Sequence, residues 1–118
     1  MTGLLVAIGA AVGAPLRYLA GHWLDRRLHW GTLLANLVGS AVLGALVGAA
    51  VEGHWLALLG TGFCGGLTTW STLAGETDRL AAAGAGRRSA AYLIVTLAFG
   101  AIAVVLGYQA GCCQAYPA

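Results

Sequence analysis

Four long apolar segments separated by short charged loops are the feature that most constrains how this sequence folds. The chain has 118 residues, 59% hydrophobic and only 8% charged, and its mean hydropathy is +0.82. A soluble domain carries about 25% charged residues, and about 20 apolar residues suffice to cross a bilayer as a helix. The pattern predicts one all-α integral membrane domain, residues 1–118, with four transmembrane helices. Their expected bounds are about 3–23, 31–51, 55–75 and 89–107.

The third segment predicts an interrupted helix. It is free of charge from Trp55 to Ala74, yet its middle combines three glycines with hydroxyl side chains. These residues are Gly62, Gly65, Gly66, Thr68, Thr69, Ser71 and Thr72. Paired glycines loosen a helix, and hydroxyls can bond the backbone groups that a break frees. Irregular backbone at membrane depth is tolerated where it is buried in protein or lines a polar cavity. We therefore predict a broken third helix that carries an ion site.

The arginines predict the orientation of the chain in the membrane. The first and third loops face the same side and contain five of the six: Arg26, Arg27, Arg79, Arg87 and Arg88. The other side has neither Arg nor Lys. The positive-inside rule then places both loops in the cytoplasm and both termini outside the cell membrane. So strong a bias also disfavours insertion of the same chain in the opposite orientation.

Polar residues within the segments are candidates for function, because burying them in lipid is expensive. Thr32, Asn36 and Ser40 follow each other at intervals of four residues, as do Tyr92 and Thr96, so each set forms a line along one helix face. All of these side chains can donate hydrogen bonds, and no carboxylate is expected to join them. Such donor-only lines favour an anion. The alternative is that they only bond helix to helix. Three glycines of the second helix are expected to serve packing: Gly39, Gly44 and Gly48.

Two charged residues near helix ends have alternative interpretations. Arg17 either extends to the membrane surface or forms an electropositive vestibule that concentrates anions. Glu76 is either a solvated helix end or a partner of Arg17 or Arg79.

Three stretches resemble the signature sequences of the CrcB/Fluc fluoride channels: residues 9–18, 31–40 and 62–72. The resemblance implies a passive fluoride exporter of the cell membrane that confers fluoride resistance and is not an enzyme. It also implies an antiparallel dimer of four-helix subunits, surrounded by lipid, with two ion pathways.

The resemblance further implies site residues. It assigns the fluoride pathway to Arg17, Thr32, Asn36, Trp70, Ser71, Thr72, Tyr92 and Thr96. It assigns a structural Na⁺ at the dimer interface to the backbone carbonyls of Gly65 and Thr68 of each subunit. Glu76 matches the acidic residue that follows the third signature stretch.

The sequence departs from the family pattern at two positions. The family usually places phenylalanines three residues apart after the paired threonines, with their ring edges toward the ion. Trp70 and Leu73 occupy these positions here. Tryptophan keeps an aromatic edge and adds an N–H donor, whereas Leu73 offers no ring edge.

Two alternatives to a self-sufficient channel remain open. A small multidrug exporter has similar size and topology, but exporters of that kind need a carboxylate in the first helix, and residues 3–24 contain none. The other alternative is a poorly conducting subunit of a heterodimeric channel. Leu73 and the one-sided arginines favour pairing with an oppositely oriented relative.

Overall fold

The computed structural model describes residues 1–24, 30–68 and 70–116, and within them all side chains except those of residues 70–72. Every described element is helical. Four of them are α-helices: α1 (Thr2–Leu24), α2 (Trp30–Gly48), α4 (Trp70–Ala82) and α5 (Gly86–Ala115). The remaining one, α3, runs without a gap through Gly53–Trp55, a π-helix Leu56–Cys64, and Gly65–Leu67.

Three of these helices, α1, α2 and α5, are long and apolar enough to cross a membrane. Many of their large side chains, such as Ile8, Ile94 and Val105, are exposed on the surface of the chain. Outward-facing apolar side chains are what a lipid environment favours. The prediction of an all-helical membrane protein is therefore confirmed.

The helical path between α3 and α4 is interrupted at Thr68, whose backbone is extended (φ −83°, ψ 156°). Gly65 keeps helical angles (φ −63°, ψ −37°), so the helix passes through the paired glycines that the sequence suggested as the weak point. The carbonyl oxygen of Cys64 accepts hydrogen bonds from both the amide (2.9 Å) and the hydroxyl (2.8 Å) of Thr68. Such a bond from a threonine hydroxyl to the carbonyl four residues earlier often bends a helix, and the helical path ends at this residue.

Glycines bring α1 and α3 together. A Cβ atom at Gly9 would collide with the carbonyl oxygen of Leu58, and one at Gly62 would lie 2.7 Å from the carbonyl oxygen of Val6. So close an approach leaves no room for a larger residue at either of these two positions. The π-helical turns of α3 lie along this contact. π-helical turns are rare and are often found at functional sites.

The helices α2 and α5 pack through a second set of glycines. A Cβ at Gly44 would collide with the carbonyl of Val104, and one at Gly107 would collide with the carbonyl of Ala41. Gly48 and Gly111 repeat the arrangement one turn further along. A Cβ at Gly39 would meet the side chain of Thr68. The predicted packing role of Gly39, Gly44 and Gly48 is therefore confirmed.

Candidate functional site

A groove of about 510 Å³ opens on one face of the chain, between α2, α3 and α5. Its polar lining includes Asn36 and Ser40 from α2, Thr61 and Thr68 from the third segment, and Thr96 from α5. The rest of the lining is small or aliphatic: Gly39, Leu43, Gly60, Cys64, Gly65, Leu73, Leu97, Gly100, Ala101 and Val104. A mostly apolar wall with a few hydrogen-bonding groups is typical of a binding site.

Thr96 is the most unusual polar residue of the groove. Its side chain is 4% exposed, and its hydroxyl has no hydrogen-bond partner among the groups that the structure describes. Leaving a buried hydroxyl unsatisfied costs about 1–3 kcal/mol. A ligand or water that reaches the groove would remove this cost, so Thr96 is a candidate binding group.

A buried carboxylate lies beside the groove. Glu76, on α4, is 8% exposed and accepts a 3.0 Å hydrogen bond from Thr32 and a 2.5 Å hydrogen bond from Tyr92. The two hydroxyls bind different oxygens of the carboxylate. Three helices, α2, α4 and α5, therefore meet at this acidic residue.

The Glu76 cluster corrects two interpretations of the sequence. The expectation that no carboxylate joins the polar lines is wrong, because Thr32 and Tyr92 both donate to Glu76. Glu76 is also not a solvated helix end. One signal in the sequence could have indicated this, since the chain has only four acidic residues and Glu76 directly follows an apolar, hydroxyl-rich segment.

Each polar line runs from the carboxylate into the groove. On α2, Thr32 contacts Glu76, whereas Asn36, one turn later, lines the groove. On α5, Tyr92 contacts Glu76, and Thr96 lines the groove. The spacing of four residues thus places one polar residue of each helix at the Glu76 carboxylate and the next one in the groove.

Arg17 contacts Thr68, one of the two predicted cation ligands, at the interruption. The Arg17 guanidinium donates a 3.4 Å hydrogen bond to the carbonyl oxygen of Thr68. Thr68 and Gly65 both line the groove, and Gly65 is exposed, with open space where a Cβ would lie. Both residues predicted to bind the cation therefore lie in the wall of the groove, where Gly65 has a helical and Thr68 an extended backbone.

Several predicted residues remain outside this description. The side chains of Trp70, Ser71 and Thr72 lie outside the described part of the chain, as do Arg26 and Arg27 in the first loop. Leu73 is described: it is 4% exposed and lines the groove, so an aliphatic side chain stands where the family pattern has a ring.

The fold and the groove define a small helical membrane protein with a mostly apolar groove, open on one face, that carries a few hydrogen-bonding groups. Residues 4–108 match the family model described as CrcB-like protein, Camphor Resistance (CrcB), and the chain belongs to this family. It is 45% identical to the fluoride-specific ion channel FluC 2 of Rhodococcus jostii, covering 92% of this chain and 97% of the relative. It is 47% identical to FluC 1 of Streptomyces avermitilis, covering 91% of this chain and 93% of the relative. It is 40% identical to FluC 1 of Geobacillus kaustophilus, covering 92% of this chain and 96% of the relative.

Proposed function

We propose that this chain is a subunit of a passive, fluoride-selective channel that exports fluoride from the cytoplasm and confers fluoride resistance. The observation that carries the proposal is the similarity, over nine-tenths of the chain, to proteins named fluoride-specific ion channels. The relatives match almost end to end, so the similarity is not confined to one motif.

The groove has the chemistry that fluoride requires. Fluoride is small and strongly hydrated, so it leaves water only where several donors replace its hydration shell. Asn36 and Thr96 offer donors within the groove, and the Thr96 hydroxyl has no competing partner among the described groups. The pathway assigned to Arg17, Thr32, Asn36, Trp70, Ser71, Thr72, Tyr92 and Thr96 remains part of the proposal.

Glu76 marks a point in the pathway where fluoride and a carboxylate would compete for the same hydrogen-bond donors. Thr32 and Tyr92 already donate to its carboxylate, so a fluoride ion that reaches them competes with Glu76 for the same protons. The negative charge of an ionised Glu76 would also repel the bound anion. Both effects prevent tight binding, as conduction requires.

The membrane potential supplies the driving force. Neutral HF crosses a bilayer and dissociates in a neutral cytoplasm, which traps the anion. A potential of 100 mV is worth about 2.3 kcal/mol for each charge that crosses, and it drives a monovalent anion outward through a passive pore. No energy-coupling site is needed for this direction of flow.

We further propose an antiparallel dimer that holds a structural Na⁺ between its subunits. Carbonyl oxygens suit a hard cation, and Gly65 and Thr68 both face the open groove. Thr68 leaves the helix with an extended backbone, which frees its carbonyl from the helical pattern. A carbonyl oxygen has two lone pairs, so the contact with Arg17 leaves room for a cation. The ion would join the broken helices of the two subunits.

The one-sided arginines favour a heterodimer over a homodimer. An antiparallel homodimer needs one sequence to insert in both orientations, which calls for nearly balanced loop charges. The third loop region contains Arg79, Arg87 and Arg88, all exposed, and the charge bias places it in the cytoplasm with both termini outside. We propose that the cell pairs this chain with an oppositely oriented relative.

Of the alternatives, a small multidrug exporter has little support, because α1 contains no acidic residue. A poorly conducting subunit has one specific observation in its favour, the buried Leu73 in the groove wall. A leucine cannot present the electropositive ring edge that would face an anion. The pathway that depends on Leu73 would then conduct less than its counterpart.

The test is fluoride efflux from liposomes that contain the purified protein, with chloride efflux as the matched control. One preparation contains this chain alone, and the other contains this chain co-expressed with a related subunit. We expect fluoride flux far above chloride flux in the preparation that forms the functional dimer. Comparable fluxes of the two anions would contradict the proposal.

A further inference from the structure

The approach of α1 to the end of α3 is set by a glycine one turn before Arg17. A Cβ at Gly13 would collide with the carbonyl oxygen of Phe63 and lie 2.9 Å from the amide nitrogen of Leu67. Gly13 and Arg17 are four residues apart and therefore share a face of α1. The close contact at Gly13 thus places the Arg17 guanidinium beside the end of α3.

The carbonyl oxygen of Thr68, where α3 ends, needs a hydrogen-bond donor from outside the helix. The last carbonyls of a helix have no intrahelical donor and carry the negative end of its dipole. The amide and hydroxyl of Thr68 both donate back to Cys64. They satisfy the Cys64 carbonyl but leave the Thr68 carbonyl to another group. Arg17 is the donor that the described residues bring to it, at 3.4 Å.

The charge of Arg17 compensates for the length of this hydrogen bond. At 3.4 Å the bond is longer than most N–H···O bonds, but a charged donor interacts more strongly than a neutral one. Arg17 is half-buried, and low dielectric strengthens its attraction to the carbonyl dipoles. An arginine near a helix C-terminus is also a favourable partner for its dipole.

We propose that Arg17 is a positioning residue that caps the C-terminal end of α3 and fixes the direction of the Thr68 carbonyl. Thr68 lines the groove, whereas Arg17 is not among the lining residues. Arg17 therefore acts on the groove through Thr68. This role differs from both interpretations of the sequence, an arginine that extends to the membrane surface and one that attracts anions to a vestibule. It rests on contacts within one chain and does not depend on which ion is transported.

The sequence allows a direct measurement of this one carbonyl. Residues 68 and 69 are its single pair of adjacent threonines. Protein labelled with carbonyl-¹³C, amide-¹⁵N threonine therefore contains one directly bonded ¹³C–¹⁵N pair, which belongs to the Thr68 carbonyl. A ¹⁵N-filtered solid-state NMR spectrum of the full chain in lipid reports that carbon alone. Its chemical shift moves upfield when the carbonyl loses a hydrogen bond.

Three variants separate positioning from charge. We expect Arg17→Gln to move the Thr68 signal upfield and Arg17→Lys to give an intermediate shift. Arg87→Gln removes the same charge from an exposed site and should leave the signal in place. An unmoved signal in Arg17→Gln, in protein that keeps its helix content, would overturn the proposal, even if fluoride flux were lost.

A measurement on the unaltered protein covers the case in which Arg17→Gln does not fold. Labelling the arginine guanidinium nitrogens with ¹⁵N allows frequency-selective dipolar recoupling between them and the Thr68 carbonyl carbon. The proposed contact predicts clear dephasing of the Thr68 signal. Absence of dephasing would show that no guanidinium lies beside this carbonyl, and it would overturn the proposal independently of any variant.

Discussion

Tyr92 on α5 donates a 2.5 Å hydrogen bond to one carboxylate oxygen of Glu76 on α4, while Thr32 on α2 donates to the other. One side chain thus ties α4, the helix that follows the interruption, to both polar lines. A buried carboxylate is stable only where its oxygens are well satisfied. The position of α4 and the orientation of the two hydroxyls therefore depend on each other.

The first prediction is that the three residues behave as one unit. Thr32→Val and Tyr92→Phe should each lower the free energy of unfolding by about 1–2 kcal/mol, because each leaves a buried carboxylate oxygen with fewer donors. In a Glu76→Ala background both substitutions should have much smaller effects, since the shared acceptor is gone. Double-mutant cycles measured by denaturant unfolding in detergent give the coupling. Additive effects would show that the cluster is not cooperative.

The second prediction separates stability from conduction at Thr96. Thr96→Val keeps the shape of the side chain but removes a buried hydroxyl that has no partner among the described groups. The free energy of unfolding should stay equal or rise, because a buried unsatisfied group is removed. Fluoride efflux should fall by at least about tenfold, since a hydrogen bond to an anion is worth about 1.5–3 kcal/mol. Thr96→Ser, which keeps the hydroxyl, is the control. Unchanged efflux in Thr96→Val would remove Thr96 from the pathway.

The third prediction uses two helix ends that share one geometry. The amide of Val51 bonds the carbonyl of Leu46, and the amide of Ala85 bonds that of Leu80. Each closure leaves one residue with positive φ, Ala50 at 56° and Gly84 at 80°. Only glycine adopts this conformation without a steric cost. Ala50→Gly should therefore stabilise the protein by about 0.5–1 kcal/mol, and Gly84→Ala should destabilise it by about the same amount.

Denaturant unfolding of the two variants tests this prediction, because the two substitutions should change the free energy of unfolding in opposite directions. Since Ala50 and Gly84 are both exposed, packing contributes little to either change in stability. If the two substitutions changed stability in the same direction, positive φ would not be the governing factor.

The fourth prediction tests the close packing of α2 and α5. Gly107→Ala should destabilise the protein by about 1–3 kcal/mol, because the new methyl group would collide with the Ala41 backbone. Gly100→Ala, on the same helix, meets no atom within 4 Å. It should be neutral or stabilising by up to about 1 kcal/mol through helix propensity. Equal losses from both variants would contradict a tight contact at Gly107.

The polar lines were predictable from sequence, whereas the residue that joins them was not. A spacing of four residues suffices to place Thr32 above Asn36 and Tyr92 above Thr96. The role of Glu76 depends on how α4 leaves the interruption, which is a tertiary property. The same holds for Arg17, whose contact with Thr68 depends on the close approach of two backbones at Gly13.

The site of the interruption shows a similar limit. Glycine content suggested weakness near Gly65, yet Gly65 keeps helical angles although open space lies beside it, and Gly66 packs against Ala10. The chain leaves the helix at Thr68 instead, where the side chain offers its own hydrogen bond to the backbone. The residue at which a helix ends is therefore a property that glycine content alone does not predict.

The fifth prediction concerns orientation and partner. Ala83 is exposed just after α4, and Cys113 is exposed near the end of α5. About 30 residues of helix separate them, or about 45 Å at 1.5 Å per residue, so they should lie on opposite sides of a membrane. Two single-site reporters follow: Ala83→Cys with both Cys112 and Cys113 changed to Ser, and native Cys113 with Cys112→Ser. Cys64 is 1% exposed and should not react.

A membrane-impermeant maleimide applied to intact and to permeabilised cells reads the two reporters. With loop arginines in the cytoplasm, Cys113 should label in intact cells, and the cysteine at position 83 only after permeabilisation. That result requires an oppositely oriented partner for an antiparallel dimer. Labelling of position 83 in about half of the molecules in intact cells would establish a dual-topology chain and a homodimer, which refutes the heterodimer. Labelling of position 83 alone would reverse the proposed orientation.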